Sequence, residues 1–235
     1  MDITIQPTKL QGALEVIPSK SQAHRYLICA ALSDNETELL CPETSRDMDA
    51  TADCLRALGA QIERTGWGYR VTPISQIPKK ANLPCRDSGS TLRFLLPVVG
   101  ALGVDATFQM EGRLPQRPLS PLWEEMERMG CTLSRVGDNM VRCTGQLRPG
   151  AYRMDGSVSS QFISGLMMAL PLIDGETSLE ITGNVESKPY IEMTRYVLDL
   201  FKVLTMVEVR KIQVDQVMRK MVKAFRVCPI SAMAK

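Results

Sequence analysis

Pro18-Ser19-Lys20-Ser21-Gln22-Ala23-His24-Arg25 stands between a strand-like lead, Leu14 to Ile17, and an apolar run, Tyr26-Leu27-Ile28-Cys29-Ala30-Ala31-Leu32. Ser19 holds the position of an N-cap, which puts Lys20 and Ser21 on the first helical turn. Backbone N–H groups there lack intrahelical partners, and the helix dipole is positive. Arg25 follows Ser21 by four residues and shares its helix face. A lysine, a hydroxyl and an arginine therefore gather on a helix start that already favours anions. Taken alone, the same pattern also describes a capped amphipathic helix with two solvated cations.

The pattern recurs. Asp87-Ser88-Gly89-Ser90-Thr91-Leu92-Arg93 precedes an apolar helix, Phe94 to Leu102, and Ser157-Val158-Ser159-Ser160-Gln161 precedes another, Phe162 to Leu172. Lys20 and Gly89 are 69 positions apart, Gly89 and Ser159 are 70, the scale of a repeated supersecondary unit. After its first helix, unit one shows a strand, Thr37 to Leu40, and a second helix, Asp47 to Leu58, closed by Gly59. A hairpin follows, Ala60 to Arg64 and Tyr69 to Thr72, turning through Gly66-Trp67-Gly68. Unit two repeats the order with Ser90 to Leu102, Ala106 to Met110, Leu119 to Met129 closed by Gly130, and a hairpin of Thr132 to Val136 and Met140 to Thr144. Unit three begins alike, with Ser160 to Leu172, Thr177 to Thr182 and Tyr190 to Phe201, the last entered through Pro189. The period then calls for glycine near 202. Lys202 is there instead, and none of the 16 glycines lies between 202 and 235. The repeat is expected to stop at Phe201, and Asp215 to Phe225 reads as a basic amphipathic helix.

These units predict an α/β (α+β) fold with pseudo-threefold packing, the first helices central and the sheets outside. Equivalent units would bring Lys20, Ser21, Arg25, Gly89, Ser90, Ser159 and Ser160 to one face. N–H groups, hydroxyls and cations in one pocket suit a small polyanion such as a phosphorylated carboxylic acid.

Bulk properties narrow the field. A chain of 235 residues with 44% apolar and 23% charged residues is an ordinary globular composition, and no apolar run approaches the ~20 residues of a membrane span. Met1-Asp2-Ile3-Thr4 is acidic and strand-like, unlike a signal peptide. Seven scattered cysteines without a C-x-x-C pair point to reduced thiols in the cytoplasm rather than disulfides or zinc. The net charge of +2 divides unevenly: residues 202–235 carry 8 basic and 2 acidic side chains. With Phe225 as its one aromatic, that tail reads as a solvated face rather than a nucleic-acid module.

Other candidates lie near the helix starts. Arg113, Gln116 and Arg117 occupy a proline-stiffened loop suited to bidentate anion capture. Ser187-Lys188-Pro189-Tyr190 holds the matching place in unit three. His24, the sole histidine, reads as a partly exposed helix residue, and Asp47 and Asp49 as first-turn dipole partners. The fourteen methionines read as core filler, and no metal or dinucleotide motif is seen.

With these residues assembled, residues 1–201 resemble the enolpyruvyl transferases, most closely their shikimate 3-phosphate branch. Five ordered motifs carry the resemblance: Lys20-Ser21 with Arg25; Asp87 to Arg93; Gln116-Arg117-Pro118; Ser159-Ser160-Gln161-Phe162; and Ser187-Lys188-Pro189-Tyr190. The resemblance implies two lobes of three βαβαββ units each, closing on the substrates without metal or other cofactor. It implies transfer of the enolpyruvyl group of phosphoenolpyruvate to the 5-hydroxyl of shikimate 3-phosphate, on the route to chorismate and the aromatic amino acids. Lys20, Ser21 and Arg25 would meet both substrates. Ser159, Ser160 and Ser187 would hold the sugar phosphate, with Gln161 between the substrates. Gly89 and Arg117, with Lys20, would line the phosphoenolpyruvate site; Tyr190 and Arg93 are further matches, the latter as a support. The related UDP-N-acetylglucosamine branch has a cysteine five residues before the arginine matching Arg117, where this chain has Gly112.

On this resemblance the chain corresponds to an N-terminal portion. Residues 1–14 would be strands crossing to a second lobe, 15–201 the substrate-binding lobe (units about 15–80, 81–147 and 148–201, the third incomplete), and 202–235 a divergent basic tail. The second lobe carries the aspartate base and further cations of the family. Three readings remain open at this stage: a truncated portion of the shikimate 3-phosphate enzyme; a relative of the UDP-N-acetylglucosamine branch; or a non-catalytic anion-binding half or split-enzyme fragment that complements a separate C-terminal lobe.

Overall fold

In a computed structural model of the chain, the structure describes residues 17–203, single residues 4 and 9, and the strand segments 205–208, 211–214 and 226–227. The expected strands of residues 1–14, most of the lead 14–17 and the expected helix 215–225 lie outside the described residues.

Three units follow one another. The first holds α1 (Lys20–Ala31), β1 (Thr37–Leu40), α2 (Arg46–Ala57), β2 (Gln61–Arg64) and β3 (Gly68–Thr72). The second holds β4 (Lys80–Arg86), α3 (Gly89–Leu102), β5 (Asp105–Met110), α4 (Leu122–Arg128), β6 (Cys131–Val136) and β7 (Met140–Gly145). The third holds β8 (Gly150–Asp155), α5 (Ser160–Ala169), β9 (Thr177–Thr182), α6 (Lys188–Leu200), β10 (Thr205–Glu208) and β11 (Lys211–Val214), and β12 (Arg226–Val227) follows. Each unit owns a four-stranded sheet, ordered β4-β5-β7-β6 and β8-β9-β11-β10 in units two and three. The strand before the first helix pairs parallel with the strand after it, β4 with β5 and β8 with β9. In unit one the order is β12-β1-β3-β2, so β12 takes the place that β4 and β8 hold elsewhere.

Two differences from the sequence reading have physical causes. The repeat does not stop at Phe201: β10 pairs antiparallel with β11, and β11 with β9, which completes the third sheet. Lys202 adopts φ +57°, the left-handed region where Gly59 (+105°) and Gly130 (+115°) close the second helices of the earlier units. The geometry of the C′ position persists although glycine, its usual occupant, is gone. Strands β4 and β8 also escaped the pattern. Pro84 interrupts the strand signal of β4 and is tolerated because β4 is an edge strand with an irregular register at Pro84/Arg86.

The first helices form the centre. α3 and α5 bury nearly every residue, among them Leu92, Phe94, Leu95, Leu96 and Val99 on one and Phe162, Ile163, Leu166 and Met167 on the other. Gly165 permits their close approach: a Cβ there would lie 2.4 Å from the Arg93 carbonyl oxygen. α5 gives way to a 3-10 turn, Leu170–Leu172, at Pro171. Among the described residues no helix is long and apolar enough to cross a membrane.

Candidate functional site

The helix starts are joined by side-chain bonds. Ser88 caps α3, its Oγ accepting from the Thr91 amide at 3.3 Å. Ser159 caps α5, its Oγ accepting from the Gln161 amide at 3.2 Å. Ser88 is buried, whereas the half-buried Ser159 hydroxyl, used as an acceptor in the cap, keeps its own hydrogen for an anion. Ser19 stands at the N-cap of α1 in an extended conformation, but its side chain makes no capping bond. The Gln161 carboxamide spans two of these starts: Nε2 donates to Ser90 Oγ at 2.9 Å, and Oε1 accepts from Arg93 Nη1 at 2.9 Å.

Gly89 opens α3 and is buried. A Cβ built on it would lie 2.9 Å from Arg93 Nη1 and 3.0 Å from Arg117 Nη1. Arg117 is exposed, and neither arginine has a carboxylate partner among the described residues. Burial, and then the charge of Arg117, hold the Arg93 pKa below the ordinary arginine value. An α-helix start with two guanidinium groups above it is prepared for an anion.

Lys20 is exposed, and its Nζ pairs with Asp47 Oδ2 at 2.7 Å. Asp47 is thus more than the dipole partner expected, since it holds the lysine at the site. Its carbonyl also accepts from Thr91 Oγ1 at 3.4 Å, which ties the starts of α1, α2 and α3 together. A buried chain of polar groups runs beneath them, with His24 Nδ1, Thr51 Oγ1, Thr91 Oγ1 and Ser88 Oγ each 2.7 Å from the next. His24 is 1% exposed rather than partly exposed, because its face of α1 packs inward against the Phe94 ring. Burial drives its pKa down to about 4, so the imidazole is neutral at pH 7. Nothing in the sequence signals this network, because a lone threonine inside a helix, such as Thr51 on α2 or Thr91 on α3, carries no spacing signal.

Arg25 departs from the expected exposed cation. It is 2% exposed. Its guanidinium donates to Thr194 Oγ1 (2.6 Å), Ser164 Oγ (3.0 Å) and the carbonyls of Ser21 (2.6 Å) and Tyr190 (3.2 Å), and lies 4.8 Å from the Phe94 centroid. Desolvation lowers its pKa to about 10, still charged at neutral pH. It fastens α1 to α5 and α6, leaving one Nη1 hydrogen uncommitted among the described residues.

Ser160 and Gln161 are half-buried, and Ser187 and Tyr190 are exposed. The Ser157 to Ser160 loop and the Ser187 loop are neighbours, joined by the Glu186 amide donating to the Gly156 carbonyl at 3.1 Å. Ser157 is bound to Asp155. Ser187 has φ +54° without being glycine, the kind of strained backbone that gathers at ligand sites.

The model of the EPSP synthase (3-phosphoshikimate 1-carboxyvinyltransferase) family matches residues 5–229. The 3-phosphoshikimate 1-carboxyvinyltransferase of Clostridium kluyveri is 40% identical over 203 residues, covering 86% of this chain and 48% of that protein. That of Clostridium beijerinckii is 36% identical, covering 82% and 46%. The chain spans about half the length of the curated relatives it matches. The solved EPSP synthase of Acinetobacter baumannii shares the fold, with a TM-score of 0.70 at 22% identity over 86% of this chain and 46% of that one. By match and by fold, the chain belongs to the EPSP synthase family.

Proposed function

We propose that this chain binds shikimate 3-phosphate and phosphoenolpyruvate for enolpyruvyl transfer. The observation that carries the reading is the meeting of α3 and α5 at Gln161, with two uncompensated guanidinium groups above Gly89. Ser159, Ser160 and Ser187 hold the sugar phosphate through hydroxyl hydrogens and the α5 start. Lys20 and Ser21 stand between the two ligands, Lys20 keeping Asp47 on one ammonium hydrogen and turning the others to the incoming anion. Gly89, Arg117 and Gln161 receive phosphoenolpyruvate. Arg25 acts from beneath, holding the Ser21 carbonyl and offering its one remaining N–H.

In the reaction the 5-hydroxyl oxygen bonds C2 of phosphoenolpyruvate, its proton leaves to a base and C3 gains a proton. The tetrahedral adduct then loses phosphate and a C3 proton. Negative charge gathers on the departing phosphate, so fixed N–H dipoles and cations beside it supply much of the rate. On this reading the base and the remaining phosphoenolpyruvate cations come from the second lobe that the resemblance implies. The scattered cysteines, without a C-x-x-C pair, support placing the chain in the reducing cytoplasm.

Calorimetry with shikimate 3-phosphate on wild type, Lys20→Ala and Ser159→Ala tests the cradle. Each variant is expected to weaken binding by about 1.5–3 kcal/mol, the range for a hydrogen bond to a charged group. Equal affinity in all three would remove the cradle.

A further inference from the structure

Arg93 lies one turn into α3, and its guanidinium reaches two other segments, α5 and the Arg117 loop. Nη1 donates to Gln161 Oε1 on α5. Nη2 donates to the carbonyl of Pro118, the residue after Arg117, at 3.3 Å. The guanidinium carbon lies 5.6 Å from the Phe162 ring centroid. Nη1 also shares with Arg117 the space above Gly89. Nε is buried without a hydrogen-bond partner, so the group is held in an unfavourable setting by its two Nη contacts. A planar fork serves two acceptors on different segments at once, which a lysine ammonium on one flexible stem does less well.

We propose that Arg93 is the positioning residue of the phosphoenolpyruvate subsite, setting the orientation of the Gln161 carboxamide and the place of the Arg117 loop. This rests on the reading of that subsite given above. With its carbonyl turned to Arg93, the Gln161 amide directs its NH2 toward Ser90 and the α3 start, so donors rather than acceptors face an arriving anion. The bond to Pro118 holds the Arg117 backbone beside Gly89. The Arg93 charge next to Arg117 favours a ligand carrying both carboxylate and phosphate over a singly charged one.

Two readouts test this. The first needs no ligand: the Gln161 side-chain NH2 resonances, identified by their loss in Gln161→Glu, report carboxamide order by 15N relaxation. An ordered carboxamide is expected in wild type and a mobile one in Arg93→Lys. Arg93→Met, which keeps an apolar stem against Phe162 and removes the fork, is expected to free the carboxamide likewise, and serves if Arg93→Lys fails to fold. The second readout is calorimetry: Arg93→Lys weakens phosphoenolpyruvate binding tenfold or more and shikimate 3-phosphate binding less than threefold. A carboxamide equally mobile in wild type and variants, or unchanged phosphoenolpyruvate affinity in Arg93→Lys, overturns the proposal. If wild type binds no phosphoenolpyruvate yet the variants free the carboxamide, the subsite reading falls while the orientation of Gln161 by Arg93 is upheld.

Discussion

Gly89 has no side chain, and two guanidinium groups use the space. An added methyl would meet Nη atoms of Arg93 and Arg117 rather than backbone; the exposed Arg117 can retreat, and Arg93 can yield by loosening its bond to Gln161, at small cost to the fold. Gly89→Ala is therefore expected to leave stability near wild type while weakening phosphoenolpyruvate binding about tenfold, or about 1.4 kcal/mol. Shikimate 3-phosphate, which the proposed reading places at α5, should bind within threefold of wild type; calorimetry with each ligand decides. His24 yields a second prediction. Burial lowers its pKa from 6.5 to about 4 in the folded chain, with Asp47 opposing and Arg25 and Lys20 adding to the shift. Between those pH values the unfolded chain takes up a proton that the folded one refuses, so the stability this neutral imidazole contributes is present above pH 6.5 and lost as pH falls toward 4. The loss should approach about 3 kcal/mol, from 1.36 kcal/mol per pKa unit. Urea unfolding at pH 7, 5.5 and 4.5 should show that slope in wild type and a flatter one in His24→Gln.

At the scale of elements, α3 and α5 approach through Gly165, where a Cβ would press on the Arg93 carbonyl and lie 3.3 Å from Phe94 Cα. Backbone cannot retreat as a side-chain tip can, so Gly165→Ala should cost about 1–3 kcal/mol by overpacking. It should also loosen the Gln161 bridge that spans those helices, which thermal unfolding paired with phosphoenolpyruvate calorimetry would register. Lys202 presents the opposite case. Its φ of +57° is a position glycine fills without strain, so Lys202→Gly is expected to stabilise by about 0.5–1 kcal/mol, part of the left-handed penalty being offset by unfolded-chain entropy. Most elements were legible because helix starts, C′ glycines and hairpin turns sit in local sequence. β1 and β9 fall where the pattern put them. The third hairpin and the edge strands β4 and β8 were not legible. Their pairing is dictated by neighbours in the sheet, which override weak local signals such as Pro84 or the missing glycine at 202.

For the whole molecule, the site was legible where it depends on period: Lys20, Gly89, Ser159 and Gln161 fall at equivalent helix starts. It was illegible where it depends on packing, as with buried Arg25, neutral His24 and the Lys20–Asp47 pair. That division bears on turnover. The transfer needs a group to take the 5-hydroxyl proton and another to deliver one to C3. Within the described cradle, His24 is sealed in the core and Asp47 is occupied by Lys20, while the chain spans about half the length of its curated relatives. The cradle should therefore bind but not turn over until joined by the other half. Co-expression with the half of a full-length relative that this chain does not match tests this by phosphate release from phosphoenolpyruvate. Neither half alone should release phosphate. The pair should do so only with shikimate 3-phosphate present, and Lys20→Ala in this chain should abolish it. Phosphate release by this chain alone would show that its own residues suffice for both proton transfers.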